Sequence, residues 1–323
     1  MKPLALALAA FLLVPALTSH ASPLSAGADH SFQDHAGEVH ANEKLREIVL
    51  YGANLSYADL SRADLRDAIL SDAAMVGTNL REANLDGANL DGAYLASADL
   101  SDVAAKETTF RGASLAGASL GDGSFVRAVF DEAILASARL DGANLDKASL
   151  VGANLNDASL VDVKATKAVF TSARLDGTDL SDSNLAQADF GGASLTDAIL
   201  DDVDAADAVF DGANMSGVEI LDANLKKASF AGAILVSSDL SGSDVKNADF
   251  RGARLAGADL SAIDNARKAL WDDATYDDGT LLHPDIDTSV MIYLPEPGSL
   301  AGLSGGVILL GLCARRRERL ATR

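Results

Sequence analysis

Gly52-Ala53-Asn54-Leu55-Ser56-Tyr57-Ala58-Asp59-Leu60 opens a pattern that the chain repeats until Gly257-Ala258-Asp259-Leu260. Each unit of five has a small residue, a polar residue, a large apolar residue and two polar or small ones. From Leu55 to Leu260 there are 42 central positions, and 39 carry Leu, Phe, Met, Ile or Val; the exceptions are Ala105, Ala165 and Ala205. Two residues before the centre stands Ala in 31 of the 42 units, and otherwise only Gly, Ser, Thr or Val. Self-similarity of this length decides the architecture before any motif does.

A period of five excludes both regular structures. A helix advances about 100° per residue, so five residues turn about 500° and no apolar stripe stays on one face. A straight strand alternates faces, and an odd period would throw successive Leu to opposite sides. The chain must therefore turn once per unit, with the centre and the small residue two before it both pointing inward. The departures from the pattern indicate four units per coil. Of the eight Phe in the repeat region, Phe110, Phe130, Phe170, Phe190, Phe210, Phe230 and Phe250 share one phase of a 20-residue superperiod, and only Phe125 falls outside it. Val103/Ala105, Val163/Ala165 and Val203/Ala205 each precede one of these phenylalanines by five, which reads as compensation of volume across the core. A ladder of Phe should climb one wall.

Units such as Ala83-Asn84-Leu85-Asp86-Gly87 and Ala143-Asn144-Leu145-Asp146-Lys147 resemble the pentapeptide repeat family, over about two thirds of the chain. The resemblance implies an all-β fold, a right-handed quadrilateral β-helix of four units per coil, in agreement with the superperiod. Residues 51–261 would make about 10 coils, a rod of roughly 50 Å at strand spacing. A solenoid end exposes an open core and a strand edge, so caps are expected at both ends. Residues 22–50 read as a polar leader followed by a short amphipathic helical cap, with Val39, Leu45, Ile48 and Val49 inward. Residues 262–293 read as an irregular C-terminal cap and linker, with Leu270, Trp271 and Tyr276 as plugs.

The two ends carry targeting signals. Residues 1–21 have Lys2, an apolar run from Leu4 to Leu17 and a small-residue site at Ser19-His20-Ala21, the layout of a secretory signal peptide cleaved between Ala21 and Ser22. In residues 294–323, Pro295-Glu296-Pro297-Gly298 is followed by an apolar segment at 299–314 and by Arg315-Arg316-Arg317. This tripartite layout resembles the PEP-CTERM sorting signal. The resemblance implies transient insertion of the tail in the membrane and cleavage near Pro295 to Pro297 by exosortase, a membrane transpeptidase, in a Gram-negative bacterium that makes exopolysaccharide. The basic cluster would stay cytoplasmic.

No catalytic chemistry is legible. The single Cys313 sits in the sorting segment, and no phosphate loop, dinucleotide fingerprint or nucleophile elbow occurs. His30, His35 and His40 lie near Asp29, Asp34 and Glu38 and could supply metal ligands if the segment folded back on itself. A spacing of five fits neither one helix face nor one strand face, so they are read as a solvated leader, and no metal or cofactor is assigned. Acidic pairs such as Asp239 with Asp259 could hold Ca2+ weakly. Ile69, Val129, Val169 and Val209 make a mild apolar strip beside the Phe ladder.

The net charge of −21 disfavours nucleic acid and anionic membrane. The reading is an exported, non-enzymatic structural or interaction protein of the cell envelope or exopolysaccharide matrix. Its partners would be the secretion machinery and exosortase during processing, then an envelope protein or exopolysaccharide. Some acidic pentapeptide repeat proteins mimic DNA and inhibit topoisomerases, and export argues against that role. A Ca2+- or polysaccharide-binding surface is a further alternative.

Overall fold

The computed structural model describes residues 23–295. The signal-peptide stretch with Ala21 and Ser22, and the sorting residues Glu296, Pro297, Gly298 and Arg315 to Arg317 with the apolar segment between them, lie outside the described residues. Pro295 is the last described residue.

Each unit turns because its geometry demands a left-handed residue. In the unit from Leu50 to Asn54, Ala53 N–H donates to Leu50 O at 3.0 Å, closing a β-turn over Tyr51 and Gly52. From Gly27 to Gly257 the third turn position is left-handed, with φ between 54° at Asp222 and 78° at Gly242, and holds mainly Gly, Asp, Ser, Lys and Glu. Gly suits that region without strain, and Asp tolerates it through local hydrogen bonds.

Between turns the backbone has room for one ladder contact. Parallel bridges join Asp29 to Val49, Asn54 to Ala74 and Asp239 to Asp259, each twenty residues apart, so four units close one coil. Leu50 N–H reaches Ile69 O at 2.7 Å, Gly52 N–H reaches Ser71 O at 3.0 Å and Asn54 N–H reaches Gln33 O at 2.9 Å. One amide per unit remains, on the residue after the centre. The side chain just before the centre serves it: Ser56 N–H donates to Asn54 Oδ1 at 3.2 Å and Asp86 N–H to Asn84 Oδ1 at 3.0 Å. In other units an aspartate one coil earlier accepts instead, as Asp86 does from Lys106 N–H at 2.8 Å. The Asn/Asp of the repeat thus completes the backbone's hydrogen bonding, which any buried or half-buried peptide requires.

The two inward slots per unit form one continuous core of Leu, Phe and Ala running the length of the coil. Phe170, Phe190, Phe210, Phe230 and Phe250 stack ring on ring at 4.7 to 5.0 Å, and Phe110 stacks on Phe130 at 4.7 Å. Leu150 interrupts the column. Phe125, from the neighbouring column, meets Phe110 and Phe130 edge-on at 6.2 and 5.5 Å. Thr and Ser in the small slot also stitch coils. Thr178 Oγ1–H donates to Leu155 O at 2.9 Å, and Ser183 Oγ donates to Leu160 O at 2.9 Å while accepting from Val163 N–H at 3.0 Å.

The N-terminal expectation is corrected. Within the expected leader and cap of residues 22–50, the described residues 23–50 form no helix: from residue 25 onward they carry the same turns and bridges as the rest. Leu45 and Ile48 are inward, whereas Val39, 71% exposed, and Val49, half-buried, occupy outward bridge positions opposite Asp59 and Asp29. Ladder pairing with the next coil satisfies this backbone where a lone short helix would leave most of its amides unpaired.

At the other end the register slips by one residue. Asp244 pairs with Asp264, but Asp249 pairs with Leu270, because left-handed Asn265 (φ 59°) leads into a 3-10 helix, Ala266–Lys268. The slip turns Leu270 outward, 45% exposed, and brings Trp271 inward, which corrects Leu270 as a plug. Trp271 stacks on Phe250 at 4.5 Å and its Nε1–H donates to Ala266 O at 3.0 Å. Beyond it, strand β1 (Asp259–Leu260) pairs in parallel with β3 (Leu281–Leu282), and β2 (Thr275–Tyr276) with β4 (Ile292–Tyr293). Tyr276 packs half-buried against the core, and the Tyr293 hydroxyl donates to Asp278, which pushes its phenol up to about 12.

Candidate functional site

The first coil keeps the backbone of the repeat and replaces its core. His30, His35 and His40 fall in phase with Leu45, Leu50 and Leu55, in the central inward slot. Gln33, Glu38 and Glu43 stand where Ala53, Ala58 and Ala63 stand one coil later. The three imidazoles are 3%, 0% and 7% exposed, which overturns the solvated leader. The physical reason is that the repeat's turn and ladder geometry, once it extends to Asp29, dictates which residues face inward whatever their polarity.

In this coil each centre has a polar neighbour three residues on, which accounts for the contacts. His30 Nδ1 meets Gln33 Oε1 at 3.1 Å. His35 Nδ1–H donates to Glu38 Oε2 at 2.8 Å, and His40 Nε2 lies 2.9 Å from the same oxygen. His40 Nδ1 faces Glu43 Oε2 at 3.4 Å, so both edges of this ring look onto carboxylates. The rings of His30 and His35, and of His35 and His40, meet edge to face at 5.3 and 6.0 Å. Partial burial pulls the Glu38 carboxyl upward, but the two histidine hydrogen bonds outweigh it and hold the group below its ordinary range.

One atom is left over. His35 Nε2 is buried and has no hydrogen-bond partner, which costs about 1–3 kcal/mol relative to a satisfied group. Among the described residues, His35, Glu38 and His40 form the one group of three metal-capable side chains, with donor atoms all within 4.8 Å of one another. The clue in the sequence was the phase of the histidines, continuous with the leucine positions when the repeat is read backward from Leu50.

The other singled-out residues are apart from this cluster. Asp239 and Asp259 are bridge partners, but each carboxylate caps its own turn, accepting from Ser241 N–H and Ser261 N–H at 2.9 Å. In the apolar strip, Ile69 is 40% exposed, and the column is broken by Asn89, Ser149 and Asp189. His283 Nδ1 accepts from Asp285 N–H at 3.1 Å in the C-terminal cap. Among the described residues no helix is long and apolar enough to cross a membrane.

An unbroken core, coils of twenty residues and parallel ladders define an all-β solenoid of short repeats. The family model for pentapeptide repeats matches in eight copies, over residues 44–72, 73–112, 109–146, 148–187, 178–217 and 223–262, and the chain belongs to the pentapeptide repeat family. A comparison with curated proteins gives no match. Among solved structures the chain is similar to HetL, a pentapeptide repeat protein involved in heterocyst differentiation regulation in the cyanobacterium Nostoc sp. strain PCC 7120, at 29% identity over 70% of this chain and 89% of that one, with a TM-score of 0.28. It is also similar to QnrB1, a plasmid-mediated fluoroquinolone resistance protein, at 18% identity over 66% and 92%, TM-score 0.27. A third is the A-module of the mannuronan C-5 epimerase AlgE6 of Azotobacter vinelandii, at 11% identity over 83% and 89%, TM-score 0.31. At these scores the superpositions carry no functional argument.

Proposed function

We propose that this is an exported, non-enzymatic structural or interaction protein of a Gram-negative envelope or exopolysaccharide matrix, released from its membrane tail through the Pro295-Glu296-Pro297 signal. The observation that carries the reading is the tripartite C-terminal sequence together with the apolar N-terminal run ending at Ala21. In this reading the secretion machinery and exosortase act on the chain in passing, the tail inserts transiently, and an envelope protein or exopolysaccharide is the lasting partner. The rod winds in the right-handed sense of its family. The first coil lengthens it beyond the roughly ten coils that residues 51–261 would build at strand spacing.

Support for a scaffold role comes from the core. The inward slots of the repeat from Leu45 to Leu260 are filled by apolar or small side chains. Such walls offer side chains to partners and no deep pocket of the kind catalysis favours. The experiment is intact-mass and tryptic mapping of the protein from envelope and medium fractions of its native host. Termini at Ser22 and near Pro295 to Pro297 are expected; a full-length chain in the cytoplasm refutes export and makes topoisomerase inhibition the reading to assay.

A further inference from the structure

We propose that the first coil is a binding site for a divalent transition-metal ion of the zinc class, ligated by one imidazole nitrogen each of His35 and His40 and by the Glu38 carboxylate, and oriented by Glu43. Four observations converge on it.

First, the donors are already gathered. Glu38 Oε2 lies 2.8 Å from a His35 nitrogen and 2.9 Å from a His40 nitrogen, and no long-range rearrangement is needed to bring the three onto one ion. Second, the two rings are held by the core: His35 is fully buried, His40 is 7% exposed, and they meet edge to face at 6.0 Å. The nitrogens that face Glu38, His35 Nδ1 and His40 Nε2, are the ones an ion takes, and each neutral ring then keeps its proton on its other nitrogen. A neutral imidazole whose other nitrogen donates to a carboxylate is the ligating form of histidine. Third, an outer partner is in place: Glu43 Oε2 stands 3.4 Å from His40 Nδ1, on the ring edge opposite Glu38. A small rotation of Glu43 would close this contact into the carboxylate–histidine–metal arrangement, which fixes the tautomer and raises ligand basicity.

Fourth, the substitutions are confined to one coil and occur at both inward slots. The repeat supplies Leu and Ala here at no desolvation cost, as Leu55, Ala58, Leu60 and Ala63 do one coil on, so a lid for the core needs neither histidine nor glutamate facing in. Two imidazoles with one carboxylate suit zinc, nickel or copper(II); calcium and magnesium prefer oxygen alone, which separates this site from the surface aspartates. With three protein ligands, water completes a four-coordinate site.

The repeat supplies its own control. His35→Leu and His40→Leu install the residue that the same column carries in the next coil, so they remove a ligand while restoring the core. The untagged full-length chain in detergent, stripped with a chelator, is titrated with Zn2+ by calorimetry and with Co2+ by visible absorption, with circular dichroism of every variant. Expected are one ion per chain and a d–d spectrum of a four-coordinate, nitrogen-containing site. His35→Leu and His40→Leu should weaken binding at least about tenfold, as should Glu43→Gln, while His283→Asn leaves it unchanged. Absent or substoichiometric binding by folded wild-type protein overturns the proposal, as does affinity unchanged in either folded leucine variant.

Discussion

Phe190→Ala tests the view that the rod is held by a stacked column on a rigid ladder. The ring is fully buried, 4.7 Å from Phe170 at 2° and 5.0 Å from Phe210 at 7°. Truncating a buried Phe costs about 3–5 kcal/mol, depending on how far the site can collapse. Collapse is blocked here. Phe170 N–H bonds Asp189 O at 2.6 Å and Phe190 N–H bonds Val209 O at 2.7 Å, so coil spacing is set by the backbone and the cavity persists. The expected loss is therefore at the upper end, about 4–5 kcal/mol.

Phe190→Leu separates stacking from volume. Leu150 stands in the same column natively, so the column accepts that shape. The loss should be about 1–2 kcal/mol, reflecting two stacked pairs at about 0.5–1.5 kcal/mol each, partly offset by repacking. Guanidinium unfolding of the full chain reads the total. Hydrogen exchange reads its location, with protection falling most in residues 170–210, because each coil contacts only its neighbours. A loss below about 2 kcal/mol for Phe190→Ala, or equal losses for Ala and Leu, refutes the rigid-ladder account.

Four further outcomes follow from named contacts. In metal-free protein, His35→Leu should raise stability by about 1–2 kcal/mol in thermal unfolding, since an unpaired buried nitrogen is exchanged for apolar burial; saturating Zn2+ should then stabilise wild type and not the variant. Gly242→Ala should cost about 1 kcal/mol more than Gly212→Ala in denaturant: both residues are left-handed, but a methyl at Gly242 meets the Asp222 carboxylate, whereas at Gly212 it meets nothing within 4 Å. Trp271→Ala removes the stack on Phe250 and the bond to Ala266 O, and should cost about 3–5 kcal/mol with exchange protection lost first in residues 250–295. The fourth outcome concerns pH. Hydrogen bonding from Arg251 holds the Asp249 carboxyl below its ordinary value against a smaller effect of burial. The unfolded chain therefore binds the proton first, and the stability Asp249 contributes is complete above about pH 4 and lost as pH falls through its folded value. Asp249→Asn should flatten the acid side of the melting profile, and an unchanged profile counts against the pairing.

The five-residue period, the Phe superperiod and the small slot two before each centre are local facts of composition. They determine a coil of four units and its core by themselves, because only one chain path keeps every fifth residue inward. Sequence reasoning placed the repeat's start at Tyr51 because it took apolar character as the mark of an inward slot. His30, His35 and His40 fail that test although their phase is continuous with Leu45 and Leu50. Only the ladder, with Asp29 paired to Val49 and Asp34 to Asn54, decides that they face in. Which side chains meet across the coil was equally illegible: that Glu38 reaches both His35 and His40, and that one nitrogen of His35 meets nothing, depends on rotamers set by the tertiary fold. At the far end, one residue at Asn265 decides between Leu270 and Trp271 as the plug. In the chain itself the slip shows only as a one-residue shift of the small-x-large pattern, to Ala269/Trp271 and Ala274/Tyr276; pairing with the preceding coil is what turns that shift into a buried Trp271.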